Sequence, residues 1–135
     1  MRKIPIYLFF LFVLVITGMN STGLILQTLG YNTTVHGNSG SAEDISFDEP
    51  DHTITLSENS TFDFIDLPAS GQKKTIGIEL TNGEAYTLAW AVTGGSVYWP
   101  GGVEPTWTTT GVDDIICWTR DGTNVKCSMA AEDMQ

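Results

Sequence analysis

Ala89 to Asp121 reads AWAVTGGSVYWPGGVEPTWTTTGVDDIICWTRD, and this stretch contains all four tryptophans of the chain. It also carries a dense set of the glycine and proline residues that end strands and form turns. Short apolar segments separated by such turns are typical of strands in an all-β domain. The stretch therefore predicts a β-fold for the part of the chain that contains it.

Upstream of this stretch, apolar residues recur at every second position. The alternating sets are Ile54 and Leu56, Phe62 and Phe64, Ile76, Ile78 and Leu80, and Tyr86, Leu88 and Trp90. A period of two predicts half-buried strands, which we expect to pair antiparallel. Asn82-Gly83 is a strong signal for a short hairpin between two of them. The prediction is one antiparallel β-sandwich, jelly-roll-like, over residues 52–135.

The segment IICWTRDGTNVKC, residues 115–127, predicts a hairpin with a defined register. A loop centred on Gly122 pairs residues that are symmetric about position 122, which places Cys117 opposite Cys127. Directly opposed residues lie within reach of a disulfide, and two buried reduced thiols are the alternative. The same register places Trp118 on the face opposite the core, where another subunit could cover it.

The first 51 residues differ in character from the rest. Residues 1–22 begin with two cations and contain an apolar run over residues 4–16, which is the pattern of a signal peptide. Their cleavage region lacks a clear small-x-small site, so a retained membrane anchor and a plug buried in a larger assembly stay open as alternatives. Residues 23–51 are polar and predict a connector, with a possible edge strand at Ile45 and Phe47.

The charge of the chain excludes nucleic acid as a partner. The formal net charge is −10, and beyond residue 20 four cations stand against all sixteen carboxylates, a balance of −12. Such a surface repels phosphate backbones and anionic lipid head groups.

The titratable residues do not form a catalytic or metal-binding pattern. His36 and His52 are the only histidines, and they stand in or beside the connector without neighbours at ligand spacing, so we interpret them as surface residues. Carboxylates are too abundant to single out a catalytic pair, and no acidic cluster matches a defined calcium loop. The sequence therefore predicts no enzymatic activity, no cofactor and no metal.

After catalysis and metal binding, recognition by aromatic side chains is the function that remains. Trp99 and Trp107 flank a turn that contains Pro100, Gly101, Gly102 and Pro105. Aromatic residues beside a rigid turn are a common way to hold a sugar or a protein surface. Alternation assigns Trp90 to the core, and Trp99 fits either the core or the contact surface. Trp107, Trp118 and Trp99 are therefore the candidates for recognition or subunit contact.

The order of motifs from Ser57 to Cys127 resembles a β-domain found at the C-termini of tailed-phage virion proteins of the tail-fibre, head-fibre and minor structural types. The matching elements are Asn59-Ser60-Thr61-Phe62, Pro68-Ala69-Ser70-Gly71, Thr75 to Thr81, Trp99-Pro100-Gly101-Gly102-Val103-Glu104-Pro105, and Asp114 to Gly122 with its Asp121-Gly122 turn. Two features depart from that pattern: Val125-Lys126-Cys127-Ser128 replaces an aromatic-Gly element, and the hydrophobic leader is not a normal part of such proteins.

The resemblance implies a non-enzymatic virion protein that displays a β-sandwich for host-surface attachment or particle decoration. It implies a homo-oligomer, a trimer by analogy with fibres, that contacts other virion proteins and a host glycan or protein. The alternative from another class is a secreted or membrane-anchored cellular adhesin or carbohydrate-binding module.

Overall fold

The computed structural model describes residues 33–134, and strands dominate this part of the chain. The strands are β1 (Thr33–Asn38), β2 (Ala42–Ser46), β3 (Asp51–Thr55), β4 (Ser60–Ile65), β5 (Lys74–Thr81), β6 (Leu88–Val92), β7 (Val97–Tyr98), β8 (Val112–Thr119) and β9 (Val125–Met134). Two short 3₁₀ segments, Gly83–Ala85 and Pro100–Gly102, lie in the turns. The predicted all-β class is confirmed.

The strands form two sheets that pack against each other. The larger sheet has the order β1-β3-β5-β8-β9-β7, and the smaller sheet has the order β2-β4-β6. From β1 to β6, successive strands alternate between the sheets. The chain therefore winds in coils, each of which adds one strand to either sheet, before it ends in the β8–β9 hairpin.

The predicted antiparallel pairing is wrong for most of the domain. Five of the seven pairings among the described strands are parallel, and only β5–β8 and β8–β9 are antiparallel. Alternation reports that each strand has one buried face, and it carries no information on the direction of the neighbouring strand. Parallel neighbours need a crossover, which the opposite sheet supplies here in place of a helix.

The predicted Asn82-Gly83 hairpin is also wrong, because β5 and β6 lie in different sheets. Asn82 adopts the left-handed conformation with φ 63° and leads into the Gly83–Ala85 segment. Gly83 fits a close contact here, since a Cβ at this position would lie 2.5 Å from the Cβ of Trp107. The dipeptide thus ends β5 and makes room for a tryptophan.

The core lies between the two sheets and is built from alternate residues of the facing strands. Its most buried members, at 2% exposure or less, include Ile45, Ile54, Leu56, Phe62, Phe64, Ile76, Ile78, Leu80 and Ile115. The edge strand predicted around Ile45 is confirmed, because β2 lies at the edge of the smaller sheet, and Phe47 follows it directly. The rest of the segment was predicted as a connector. From residue 33 onward that segment supplies β1 and β2, so the domain begins well before residue 52.

The hydrophobic segment over residues 1–22, with its predicted anchor, plug or signal-peptide role, lies outside the described residues. Within residues 33–134, no helix is long and apolar enough to cross a membrane.

Candidate recognition surface

Three of the four tryptophans meet in one cluster on the inner side of the fold. The ring of Trp90 lies 5.3 Å from Trp99 and 5.9 Å from Trp107, and Trp99 and Trp107 are 5.7 Å apart between centroids. Trp90 also stacks on Phe64 at 5.8 Å and meets the edge of Phe62 at 5.3 Å. The expected core position of Trp90 agrees with this packing, in which it is half-buried against the core.

Glu104 ties this cluster to the turn that follows β7. Its Oε1 atom accepts a hydrogen bond from Trp90 Nε1 at 2.8 Å and another from Trp107 Nε1 at 3.1 Å. A charged acceptor shared by two indole N–H groups fixes the orientation of both rings. The sequence placed Glu104 among many equivalent carboxylates, and it gave no signal strong enough to select this one.

Trp107 is not available as a contact residue, which corrects that expectation. It is 8% exposed and packs with the core residues, and its ring covers Gly83. Trp99 is half-buried against the same core. The turn between them folds as predicted around glycines of positive φ, at Gly101 and Gly102, with Gly102 donating its N–H to the Trp99 carbonyl at 3.0 Å. The turn therefore serves the cluster and does not carry an exposed aromatic pair.

The fourth tryptophan lies on the opposite, outward face of the larger sheet. Lys126 on β9 pairs with Trp118 on β8 and with Tyr98 on β7, so the three residues form one cross-strand row. Tyr98 is 51% exposed, and Trp118 is half-buried. We call Tyr98, Lys126 and Trp118 the outer row. Together with Trp99 and Pro100 these residues line a shallow groove of about 220 Å³.

The disulfide lies directly behind the outer row. Cys117 pairs with Cys127 in the β8–β9 ladder, which confirms the predicted register, and the two sulfurs are bonded. Both cysteines are on the buried face, with exposures of 0% and 1%. The bridge therefore cross-links the two strands that carry Trp118 and Lys126, one residue away from each.

The few cations of the domain gather at this end of the larger sheet. Within residues 33–134 they are Lys73, Lys74, Arg120 and Lys126. Lys74 begins β5 and pairs with the end of β8, while Arg120 follows β8 and Lys126 lies at the start of β9. Lys74 forms an ion pair with Asp48. The other three cations have no ion pair within the described residues.

The other half of the same outward face is acidic. Glu79 pairs directly with Asp114 across β5 and β8, and Asp51 lies over Gly77, which leaves room for its carboxylate. These residues line a groove of about 370 Å³. Burial and the charge of Glu79 raise the pKa of Asp114. The outward face therefore carries the aromatic outer row with Lys126 in one half and an acidic groove in the other.

The two histidines come together at the β1–β2 end of the fold, contrary to the surface positions we expected. His36 Nε2 lies 3.0 Å from His52 Nδ1, and His36 Nδ1 lies 3.2 Å from the carboxylate of Glu43. His52 is only 1% exposed, and its Nε2 donates to the Ser46 carbonyl at 3.1 Å. Burial lowers the pKa of His52, and the adjacent His36 lowers it further. Parallel pairing of β1 with β3 brings these distant residues together.

The Asp121-Gly122 turn closes the hairpin as predicted. Asp121 Oδ1 accepts the backbone N–H groups of Thr123 at 3.0 Å and Asn124 at 2.6 Å, and Oδ2 accepts the Asn124 side-chain amide at 2.9 Å. These bonds, led by the Asn124 side chain, hold the pKa of Asp121 well below its usual range. Gly122 has φ 72° and lies against the carbonyl of Pro68.

In the described part of the chain, no group of three or more histidine, cysteine, aspartate or glutamate side chains is arranged to hold a metal ion.

No protein-family model matches the chain, and neither a curated protein nor a solved structure matches it.

Proposed function

We propose that the chain is a structural protein of a tailed-phage virion that displays its β-domain outward. In this proposal it acts in host-surface attachment or particle decoration, performs no catalytic step and is fixed to the particle by its N-terminal region. The order of motifs from Ser57 to Cys127 supports the class of protein. The outer row is the observation that supports a recognition role.

The outer row favours recognition because it combines exposed aromatic area with a rigid support. Aromatic side chains contribute large contact areas at low cost in conformational entropy. Tyr98 and Trp118 present this area on the open face of the larger sheet, and both of their strands pair with β9 between them. The groove between them is open to a large ligand and has the chemistry of a contact surface.

The proposed assembly is a homo-oligomer, a trimer by analogy with fibres, in contact with other virion proteins. A trimer would give each particle several copies of the outer row at one location, which strengthens attachment through multivalency. Light scattering of the full chain tests the trimer, and a monomer at micromolar concentration would contradict it.

Location tests the class of protein. An antibody raised against the full chain should label purified phage particles, and particle preparations should contain the chain in fixed proportion to the capsid protein. Label confined to a cell envelope or to culture medium would contradict the virion proposal. That result would favour the second candidate, a cellular adhesin or carbohydrate-binding module, which the same outer row supports.

A further inference from the structure

We infer that the outer row binds a sugar chain that carries carboxylate groups, such as a polyuronate. The inference rests on the proposed attachment function and names the class of ligand. Tyr98 and Trp118 would pack against the C–H faces of two sugar rings, while Lys126 between them would bind a carboxylate.

The distribution of charge selects an anionic ligand. Lys126 is exposed between the two aromatic residues and has no ion pair within the described residues. Arg120 follows the end of β8, two residues after Trp118. Asp121, the next residue, keeps its negative charge, and its carboxylate is directed to the N–H groups of Thr123 and Asn124 within its own turn. Lys126 is therefore the charged side chain that the groove offers to a ligand, and its charge is positive.

The spacing of the aromatic residues selects a chain of sugar rings. Tyr98 on β7 and Trp118 on β8 are separated by the single strand β9, so their positions are about 10 Å apart. That separation spans two rings of an extended sugar chain. Pyranose rings carry flat C–H faces that pack on aromatic rings and polar edges that remain in water, which suits a shallow groove.

The same geometry disfavours two other polyanions. A peptide that binds a sheet commonly adds a strand to an open edge, whereas Lys126 and Trp118 lie on β9 and β8, which have a neighbouring strand on both sides. The edge strand β7, which carries Tyr98, has only two residues and offers an added strand little backbone to pair with. Nucleic acid binding requires many phosphate contacts, whereas Lys126 is the one cation among the residues that line the groove.

The test compares oligogalacturonate with its methyl ester, which keeps the rings and linkages and removes the charge. Titration of the full chain by calorimetry should show the acid binding at least about tenfold more tightly than the ester, as expected for one charge-assisted contact. Added salt should weaken binding of the acid and leave binding of the ester nearly unchanged.

Substitutions assign the binding to the outer row. Lys126→Met keeps the aliphatic stem and should reduce the affinity for the acid to that for the ester. Lys74→Met is the matched control, because Lys74 already pairs with Asp48, and it should change the affinity less than about twofold. Tyr98→Ala should weaken both probes, whereas Tyr86→Ala, at an aromatic residue 38% exposed outside the groove, should weaken neither.

Four results would overturn the inference. Equal affinity for the acid and the ester would exclude a role for charge, and binding that survives both Lys126→Met and Tyr98→Ala would exclude this groove. Tighter binding of polyglutamate than of oligogalacturonate would assign the groove to acidic peptides. A lower oligomeric state of Trp118→Ser would place the row in a subunit contact. None of these four results bears on the virion location, which antibody labelling tests independently.

Discussion

Glu104 provides the sharpest test of how the aromatic cluster is held. Glu104→Ala removes the acceptor of two indole N–H groups at once. Trp107 is 8% exposed, so its N–H would lie in the protein without a partner, at a cost of about 1–3 kcal/mol. Trp90 is half-buried and can turn its N–H toward water, so its loss is about 1 kcal/mol. The expected loss in the free energy of unfolding is therefore about 2–4 kcal/mol.

Glu104→Gln separates the hydrogen bonds from the charge. The amide keeps an oxygen at the position of Oε1, so both indole groups retain an acceptor. Only the charge assistance is lost, which should cost about 1 kcal/mol. We therefore expect the order wild type, then Glu104→Gln, then Glu104→Ala.

Urea denaturation followed by tryptophan fluorescence measures these differences directly. Glu58→Ala is the control, because Glu58 is an exposed carboxylate in the turn between β3 and β4, and it should fall within about 0.5 kcal/mol of wild type. A Glu104→Ala variant as stable as the Glu58→Ala control, or equal losses of stability in the Gln and Ala variants, would contradict a shared acceptor role for Glu104.

Three further perturbations test other parts of the fold. Reduction of the Cys117–Cys127 bridge should lower the free energy of unfolding by about 2–3 kcal/mol, measured by denaturation with and without reductant; a double Cys→Ala variant that still responds to reductant would contradict this origin. Glu79→Gln should stabilise the domain by about 0.5 kcal/mol at pH 7, because like charges face each other across β5 and β8. Calorimetry should show that gain shrinking in high salt and as Asp114 protonates on acidification, and a gain independent of both would rule out charge repulsion. Burial lowers the pKa of His52 from 6.5. As the pH falls below about 6.5, the unfolded chain therefore takes up the proton before the folded chain does. The free energy of unfolding should then fall by at most about 1.4 kcal/mol per pH unit. The stability advantage over His52→Gln should therefore shrink between pH 7 and pH 5, and a constant difference across that range would exclude His52 as the titrating group.

Local patterns in the sequence were sufficient where the structure is itself local. The β8–β9 register follows from a turn at Asp121-Gly122 and two cysteines placed symmetrically about it, so short-range chemistry determines which residues oppose each other. Alternation likewise gave the buried faces of the strands, including Ile76, Ile78 and Leu80. In both cases each residue needs information only from its neighbours along the chain.

Contacts between coils were beyond the reach of the same reasoning. Asp51 pairs with Thr33 on one side and with Gly77 on the other, and the chain passes through the opposite sheet in between. No turn type encodes such a pairing, so the parallel direction of β1, β3 and β5 left no local trace. The meeting of His36 with His52 depends on that pairing, which is why spacing along the chain suggested two unrelated surface residues.

The candidate site was only half predictable for a related reason. Trp118 follows from the hairpin register, but Tyr98 enters the outer row through β7, a strand of only two residues. Trp107 lies in a loop, where alternation gives no face, and Glu104 becomes its partner only once the turn has folded. Glu104 lies in the turn bounded by Pro100 and Pro105, three residues before Trp107. That spacing is a weak signal that could have drawn attention to Glu104 and Trp107 as partners.

The position of Tyr98 depends on the hairpin turn. Asp121 holds the loop by binding the N–H groups of Thr123 and Asn124. Asn124 then accepts the N–H of Ser96 through its side-chain oxygen at 3.1 Å, and the Val125 N–H binds the Ser96 carbonyl at 3.0 Å.

Because Ser96 leads directly into β7, this network places Tyr98 beside Lys126, while the disulfide fixes Lys126 beside Trp118. The Asp-Gly turn and the cysteine pair are structural features in the sequence, and in the fold they set the spacing of the outer row. The sugar chain proposed as the ligand would require fixed spacing more than depth, and these two local features supply fixed spacing.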